Sequence, residues 1–284
     1  MKDALIVSVL SVVPKNSAAR GMGHLARLRL PAWLHRLIVT GFVRKYRVDL
    51  SECEGGVDDF PTLADFFVRA LKPGMRPIDP RPEVLCSPVD AVVHTVGSIQ
   101  GGAYGQADGV YASVAELLGR DEAPEYEGGS FAILYLSPRD YHRVHTPCAG
   151  RVRRLRYLPG QLWPVFPVAT RRVEGLFGRN ERLVFEIESE VGTVVEAMIG
   201  AFGVGRMSTT IHPLVTNQSG AAQDLELDVP IERCAELGRF ELGSTVILVL
   251  PPGRVEWTIK PGEAVRLGRP IARVLAGADG GATS

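Results

Sequence analysis

A mainly β fold with α-helical additions (α+β) is predicted, with N-terminal amphipathic helices over residues 1–48 followed by a β-rich, barrel-sandwich-like domain over 49–284. Three observations predict it. Helical hydrophobic spacing is concentrated in the first quarter of the chain, the stretch after Gly74 breaks into short β-rich runs separated by Pro and Gly, and one turn-and-strand phrase recurs three times in that second part.

Composition sets the frame. The 284 residues are 45 % hydrophobic, enough to bury a full core, and this argues against disorder. Cys53, Cys86, Cys148 and Cys234 are widely spread and form no C-x-x-C pair, so neither a disulfide framework nor a zinc ribbon is indicated and a reducing compartment fits. The net charge is zero but unevenly placed: residues 1–50 hold nine Lys/Arg against Asp3 and Asp49, a local excess of +7 that the rest of the chain balances. No nucleic-acid partner is expected.

Taken in order, Ala4 to Val13 is an apolar run of ten closed by Pro14-Lys15, too short to span a bilayer. It matches the apolar part of a signal peptide in length, but Lys15, Arg20, Arg27 and Arg29 continue a basic amphipathic pattern instead of opening a mature domain. From Leu30 to Tyr46, Trp33, Leu34, Leu37, Ile38 and Phe42 fall at helical spacing, with His35, Arg36, Arg44 and Lys45 turned away. Such a helix either packs on its own core or lies in a bilayer interface, where anionic lipid contributes roughly 1 kcal/mol per nearby basic residue. Thr62-Leu63-Ala64-Asp65 reads as a capping box opening a short helix that Pro73-Gly74 stops, and Ser113 and Gly119 bracket another over Val114 to Leu118.

The β-rich part carries Ser87-Pro88-Val89-Asp90-Ala91-Val92-Val93, Thr146-Pro147-Cys148-Ala149-Gly150-Arg151-Val152 and Lys260-Pro261-Gly262-Glu263-Ala264-Val265. Each is a Pro/Gly turn leading into a β run, and such units without long helices between them favour an antiparallel barrel or sandwich over a doubly wound sheet. The last unit, Lys260 to Val274, resembles the hairpins of biotinyl and lipoyl carrier domains without their modified-lysine tip. A non-catalytic module of that kind is one alternative reading.

Chemistry concentrates in Leu136-Ser137-Pro138-Arg139-Asp140-Tyr141-His142-Arg143-Val144-His145-Thr146-Pro147-Cys148, which holds two of the six histidines. A metal set of His142, His145 and Cys148 would need a helix to bring residues three apart onto one face, and Pro138 and Pro147 leave no room for one. In extended structure the two imidazoles point in different directions, which suits two separate tasks.

A second focus is Glu241 to Leu250, where Gly243-Ser244 directly precedes a continuous apolar run that reads as a buried strand. The nucleophile elbow of a hydrolase, G-x-S-x-G, is absent. A serine behind a flexible glycine can instead turn its hydroxyl onto the preceding carbonyl. The peptide bond becomes an ester, β-elimination cuts the chain, and hydrolysis of the resulting dehydroalanine leaves a pyruvoyl group. Asp90, His145 and Ser244 also supply the acid, base and nucleophile of a triad, so a Ser-His-Asp hydrolase is the second alternative.

These motifs, with Asp65-Phe66-Phe67-Val68-Arg69, Lys72-Pro73-Gly74, Tyr157-Leu158-Pro159-Gly160 and Glu236-Leu237-Gly238-Arg239-Phe240, resemble the membrane-associated bacterial phosphatidylserine decarboxylase family from about Ala4 to Ala276. The chain departs from that pattern at Ala91, usually glycine, and around Gln106 to Tyr111, where a lysine-glycine pair is expected near the lipid site. The resemblance implies a pyruvoyl-dependent carboxy-lyase that cleaves itself between Gly243 and Ser244 into a β chain (1–243) and an α chain (244–284), which pair as a heterodimer and dimerise further. Asp90 and His145 are then the relay that activates Ser244. The pyruvoyl cofactor made from Ser244 forms a Schiff base with the amine of phosphatidylserine, and the products are phosphatidylethanolamine and CO2. His142 serves the decarboxylation, positioning the carboxylate or returning a proton. The expected location is peripheral, on the cytoplasmic side of an anionic cell membrane.

Overall fold

A computed structural model describes residues 14–203, 206–218, 220–241 and 245–275; the apolar run Ala4–Val13 and the Gly243-Ser244 pair lie outside the described residues. The chain opens with helices α1 (Lys15–Ala26), α2 (Ala32–Tyr46) and the short α3 (Leu63–Phe67). Strands β1 (Val84–Cys86), β2 (Ala91–Ser98), β3 (Ala103–Ala107) and β4 (Val110–Ser113) lead to α4 (Val114–Leu118). Next come β5 (Ser130–Tyr135), β6 (Arg143–His145) and β7 (Gly150–Leu158), then helices α5 (Pro167–Arg172) and α6 (Leu176–Arg179). The rest is strand: β8 (Arg182–Ser189), β9 (Gly192–Ile199), β10 (Met207–Thr209), β11 (Gln223–Ile231), β12 (Glu236–Phe240), β13 (Thr245–Leu250), β14 (Val255–Trp257), β15 (Ala264–Val265) and β16 (Pro270–Val274).

The local signals act as their chemistry requires. Thr62 Oγ1 accepts the Asp65 amide at 3.1 Å and opens α3, and Ser113 Oγ accepts the Glu116 amide at 3.2 Å and opens α4. Gly119 closes α4 at φ 68°, a left-handed conformation that costs glycine nothing.

Eight strands form one sheet in the order β11-β7-β8-β9-β13-β5-β2-β15, with three smaller sheets beside it. Every pairing in that sheet is antiparallel. The predicted mainly β, α+β class is therefore present, but no barrel closes among the described strands: β11 and β15 are open edges. The β11 edge carries Asp224, Glu226, Asp228 and Pro230, which discourage a further strand from adding. The carrier-like hairpin is also absent. β15 pairs with β2 and β16 pairs with β1 and β14, so its two arms lie in different sheets.

β13 explains its own sequence. Val246, Leu248 and Leu250 pack into the core on one face of the sheet, and Ile247 and Val249 into the core on the other. A strand covered on both faces needs a continuous apolar run.

α2 differs from the face predicted for it. His35, expected to turn away, is buried along with Val39, whereas Trp33 and Leu37 are 70 % and 64 % exposed. Both faces of the helix are apolar enough to pack, and the protein uses the one that reaches Phe66 through Val39 and Phe42. Arg36 pairs with Asp58 across the turn that follows. Gln106, at the second departure from the expected pattern, is fully buried; its amide donates to the Thr170 and Val173 carbonyls and accepts from the Leu176 amide, pinning α5 to α6.

Candidate active site

The segment after β5 is shaped by Asp140. Its carboxylate accepts from the Ser137 amide and hydroxyl, both at 2.7 Å, and closes a tight turn. The chain leaves that turn extended, so Tyr141 to His145 alternate, and β6 then pairs with β12. Here His142 and His145 part company, as extended geometry predicts.

His142 is fully buried, its ring 4.1 Å from that of Phe67. Its Nδ1 lies 2.8 Å from the Asp140 carbonyl. A carbonyl only accepts, so Nδ1 carries the proton, and Nε2 is a bare acceptor with no hydrogen-bond partner. Burial pulls its pKa down to about 3; the Asp140 carbonyl opposes that shift and the nearby Arg69 charge adds to it. His145 shares the tautomer in different surroundings. Its Nδ1–H donates to the Cys234 carbonyl at 2.8 Å and its Nε2 accepts from the Tyr141 hydroxyl at 3.2 Å. Burial lowers its pKa as well.

Asp90 stands nearby without a direct hydrogen bond to His145. Arg76 Nε lies 2.9 and 3.0 Å from its two oxygens, and the Leu267 amide donates to Oδ1 at 2.9 Å. Arg76 also reaches Glu52, which in turn pairs with Arg266. The link from Asp90 to His145 runs through the backbone, where the His145 amide donates to the Pro88 carbonyl at 3.0 Å, and through the field of the carboxylate, which favours the charged imidazole. The Asp–His hydrogen bond of a hydrolase triad is not made here.

Leu242, Gly243 and Ser244 lie outside the described residues, but both flanks are placed. The Phe240 amide donates to the His142 carbonyl at 3.0 Å, and Glu241 is held by Arg27 at 2.7 Å and Arg206 at 2.8 Å. Thr245, buried, begins β13 opposite Tyr135. Beside this junction is an apolar cavity of about 690 Å³, lined by Met22, Leu25 and Leu28 of the N-terminal helix region, Phe42 of α2, Phe67, Tyr135 and Pro138. Among the described residues no group of three His, Cys, Asp or Glu side chains is placed to hold a metal ion. Tyr141, Arg76 and Arg69 carry much of the site's geometry; Tyr141 and Arg69 stand inside motifs singled out in the sequence but with no role of their own, and Arg76 stands in none.

The two depressed pKa values make a pH prediction. Below the ordinary histidine pKa of about 6.5 the unfolded chain binds protons that folded His142 and His145 refuse, so stability falls with falling pH. The contribution is complete above pH 6.5 and is lost as pH falls from there toward about 3. Denaturant midpoints are expected to drop from pH 7 to pH 5, and His142→Gln to flatten that drop by up to about 1.4 kcal/mol per pH unit.

An α+β scaffold with an apolar cavity whose Phe67 wall packs on an enclosed, neutral imidazole, and with a second enclosed imidazole three residues on, has the parts of an acid–base site. Residues 63–273 match the phosphatidylserine decarboxylase family. The chain is 43 % identical to the phosphatidylserine decarboxylase proenzyme of Anaeromyxobacter sp. (strain K) over 279 residues, covering 95 % of this chain and 99 % of that protein. It is 39 % identical to the proenzyme of Myxococcus xanthus (strain DK1622) over 276 residues, again 95 % and 99 %, and 41 % identical to that of Polaromonas naphthalenivorans (strain CJ2) over 290 residues, 97 % and 99 %. The chain belongs to the phosphatidylserine decarboxylase family, a family of lyases.

Proposed function

We propose that the chain cuts its own backbone between Gly243 and Ser244 and that the mature protein decarboxylates phosphatidylserine to phosphatidylethanolamine and CO2. The observation that carries this reading is the pair of histidines three residues apart, each with Nδ1 on a backbone carbonyl and Nε2 left as acceptor, in surroundings distinct enough for two half-reactions. In the first, His145 takes the hydroxyl proton of Ser244 as it attacks the Gly243 carbonyl. Its lowered pKa keeps it unprotonated at neutral pH, and Asp90 acts on it through space, favouring the charge it acquires.

The residues present fit a carbonyl cofactor at position 244. The preceding flank is anchored to His142 by the Phe240 backbone bond and, through Glu241, to Arg27 just after α1, and the enclosed His142 is neutral. The pyruvoyl group supplies a ketone beside an amide carbonyl, an electron sink for the amine-bearing carbon of the substrate. The chain's own part is to exclude water around His142 and to offer its Nε2 as an acceptor, which must first take up a proton before it can donate to the carboxylate or return a proton to the α-carbon. After cleavage the chains 1–243 and 244–284 would stay together, because β13 is hydrogen-bonded between β9 and β5. The test is CO2 release from phosphatidylserine in mixed micelles by the purified chain. Absence of release from a chain that has been cut would refute the reading.

The N-terminal segment, residues 1–48, is proposed to hold the protein peripherally on the cytoplasmic face of an anionic membrane. Leu25, Trp33 and Leu37 are exposed on helices that also wall the apolar cavity, in a segment with an excess of positive charge. Among the described residues no helix is long and apolar enough to cross a membrane. Trp33→Glu combined with Leu37→Glu is expected to abolish flotation on phosphatidylserine-containing liposomes. Wild-type flotation should weaken as salt screens the electrostatic share. Equal flotation of variant and wild type would place the anchor elsewhere.

A further inference from the structure

Arg69 follows α3 and is 4 % exposed, a guanidinium almost wholly withdrawn from water. Its Nη2 donates to the Arg139 carbonyl at 2.9 Å and to the Asp140 carbonyl at 3.3 Å. Nε and Nη1 have no hydrogen-bond partner. Nor does Arg69 form an ion pair among the described residues, because each carboxylate near it is committed elsewhere: Asp140 to Ser137, Asp90 to Arg76, and Glu52 to Arg76 and Arg266. A buried cation with idle donors is costly, and an arriving anion removes that cost. Desolvation lowers its pKa against the fields of nearby groups, among them Asp140, Asp90 and Glu52, and the Phe66 ring centroid lies 5.2 Å from the guanidinium carbon, but none of these occupies Nε or Nη1.

Its position gives the idle donors a use. The Asp140 carbonyl that takes Arg69 Nη2 also takes His142 Nδ1–H, so the guanidinium and the imidazole are fixed to one atom. His142 Nε2 is likewise enclosed and unpartnered. Phe67 belongs both to this cluster, through its ring contact with His142, and to the lining of the apolar cavity. An apolar cavity walled by Phe67, with the His142 imidazole against that ring and a guanidinium with idle donors on the same Asp140 carbonyl, has the polarity of an amphiphile with an anionic head.

We propose that Arg69, beside His142, is the anion subsite of the active site and takes the carboxylate of the lipid headgroup through Nε and Nη1, which the headgroup reaches by displacing the Phe67 ring. The guanidinium matches a carboxylate in the planar, two-pronged geometry that a lysine cannot copy. This assignment rests on the decarboxylase reading above. The same donors suit a phosphodiester oxygen, so the test must separate the two anions of the headgroup.

The experiment uses the full chain, with maturation scored first by denaturing electrophoresis. If the wild type does not cut and release CO2, the proposed function fails and the subsite is not the cause. With mature protein, kcat and KM for phosphatidylserine and the inhibition constant of phosphatidylethanolamine, which keeps the phosphodiester and lacks the carboxylate, are measured for wild type, Arg69→Gln and Arg69→Lys. Arg69→Gln is expected to lower kcat/KM by about 10- to 100-fold, chiefly through KM, because a charge-assisted hydrogen-bond pair is lost. Arg69→Lys should recover part of the loss, and inhibition by phosphatidylethanolamine should stay within about twofold throughout. Parallel weakening of that inhibition would assign Arg69 to the phosphodiester and overturn the proposal. So would a kcat/KM within about threefold of wild type in Arg69→Gln, or failure of both variants to mature, which would make Arg69 a residue of the fold.

Discussion

Ser244→Ala is expected to yield one uncut chain with no decarboxylase activity. Alanine has no hydroxyl to attack the Gly243 carbonyl, so neither the ester nor the pyruvoyl group can form. The loss should reach the detection limit, because the substitution removes the cofactor itself and no neighbouring group can replace it. Folding should survive: the change is at the entrance to β13, whose six residues keep their ladder bonds to β5 and β9 and their packing on both faces of the sheet. Denaturing electrophoresis and CO2 release read the two effects. A variant that still divided into pieces of residues 1–243 and 244–284 would mean that an outside protease makes the cut.

The second large effect separates the histidines. His145→Ala is expected to arrest maturation, since the enclosed base proposed to accept the Ser244 proton is gone. Its loss should slow self-cleavage by about 10²- to 10⁴-fold. Asp90→Asn should slow it less, because the carboxylate acts on His145 through space and not through a hydrogen bond. His142→Ala is expected to cut at a normal rate and lose turnover by a similar 10²- to 10⁴-fold factor. The two imidazoles differ in every contact that matters, Asp140 and Phe67 for His142 against Cys234 and Tyr141 for His145. Accumulation of uncut His142→Ala would show that the roles are not separate.

Much of the fold could be read locally. The apolar run at 245–250 announced a strand buried on both sides, and Ser113 with Gly119 marked both ends of α4, because caps and burial are written in adjacent residues. Pairing partners are not. The arms of the expected 260–274 hairpin went to β2 and to β1 because distant strands offered them better-placed ladders. On α2 the helical spacing identified an amphipathic segment but not which of its two apolar faces would be covered, and the side bearing His35 and Val39 went inside. The open edges of the eight-stranded sheet likewise depend on what lies beyond β11 and β15, which no turn motif encodes.

The site divides along the same line. His142 and His145 stood out because two imidazoles lie within four residues of an extended stretch, and their separate surroundings follow from that backbone. Arg76, Arg69 and Tyr141 did not, since each is a single polar residue whose partner lies on another segment or is a backbone carbonyl. Asp90 was found for its type, while its partners Arg76 and the Leu267 amide come from elements far apart in the chain.

The central claim is that residue 244 becomes the cofactor. Intact-mass analysis of the purified wild-type chain tests it most directly. The account predicts two chains, residues 1–243 ending in a free Gly243 carboxylate and residues 244–284 lighter by one ammonia than the corresponding peptide with an N-terminal serine, with no reactive α-amino group. A single full-length chain in an active preparation, or a small chain beginning with an intact serine, would contradict it.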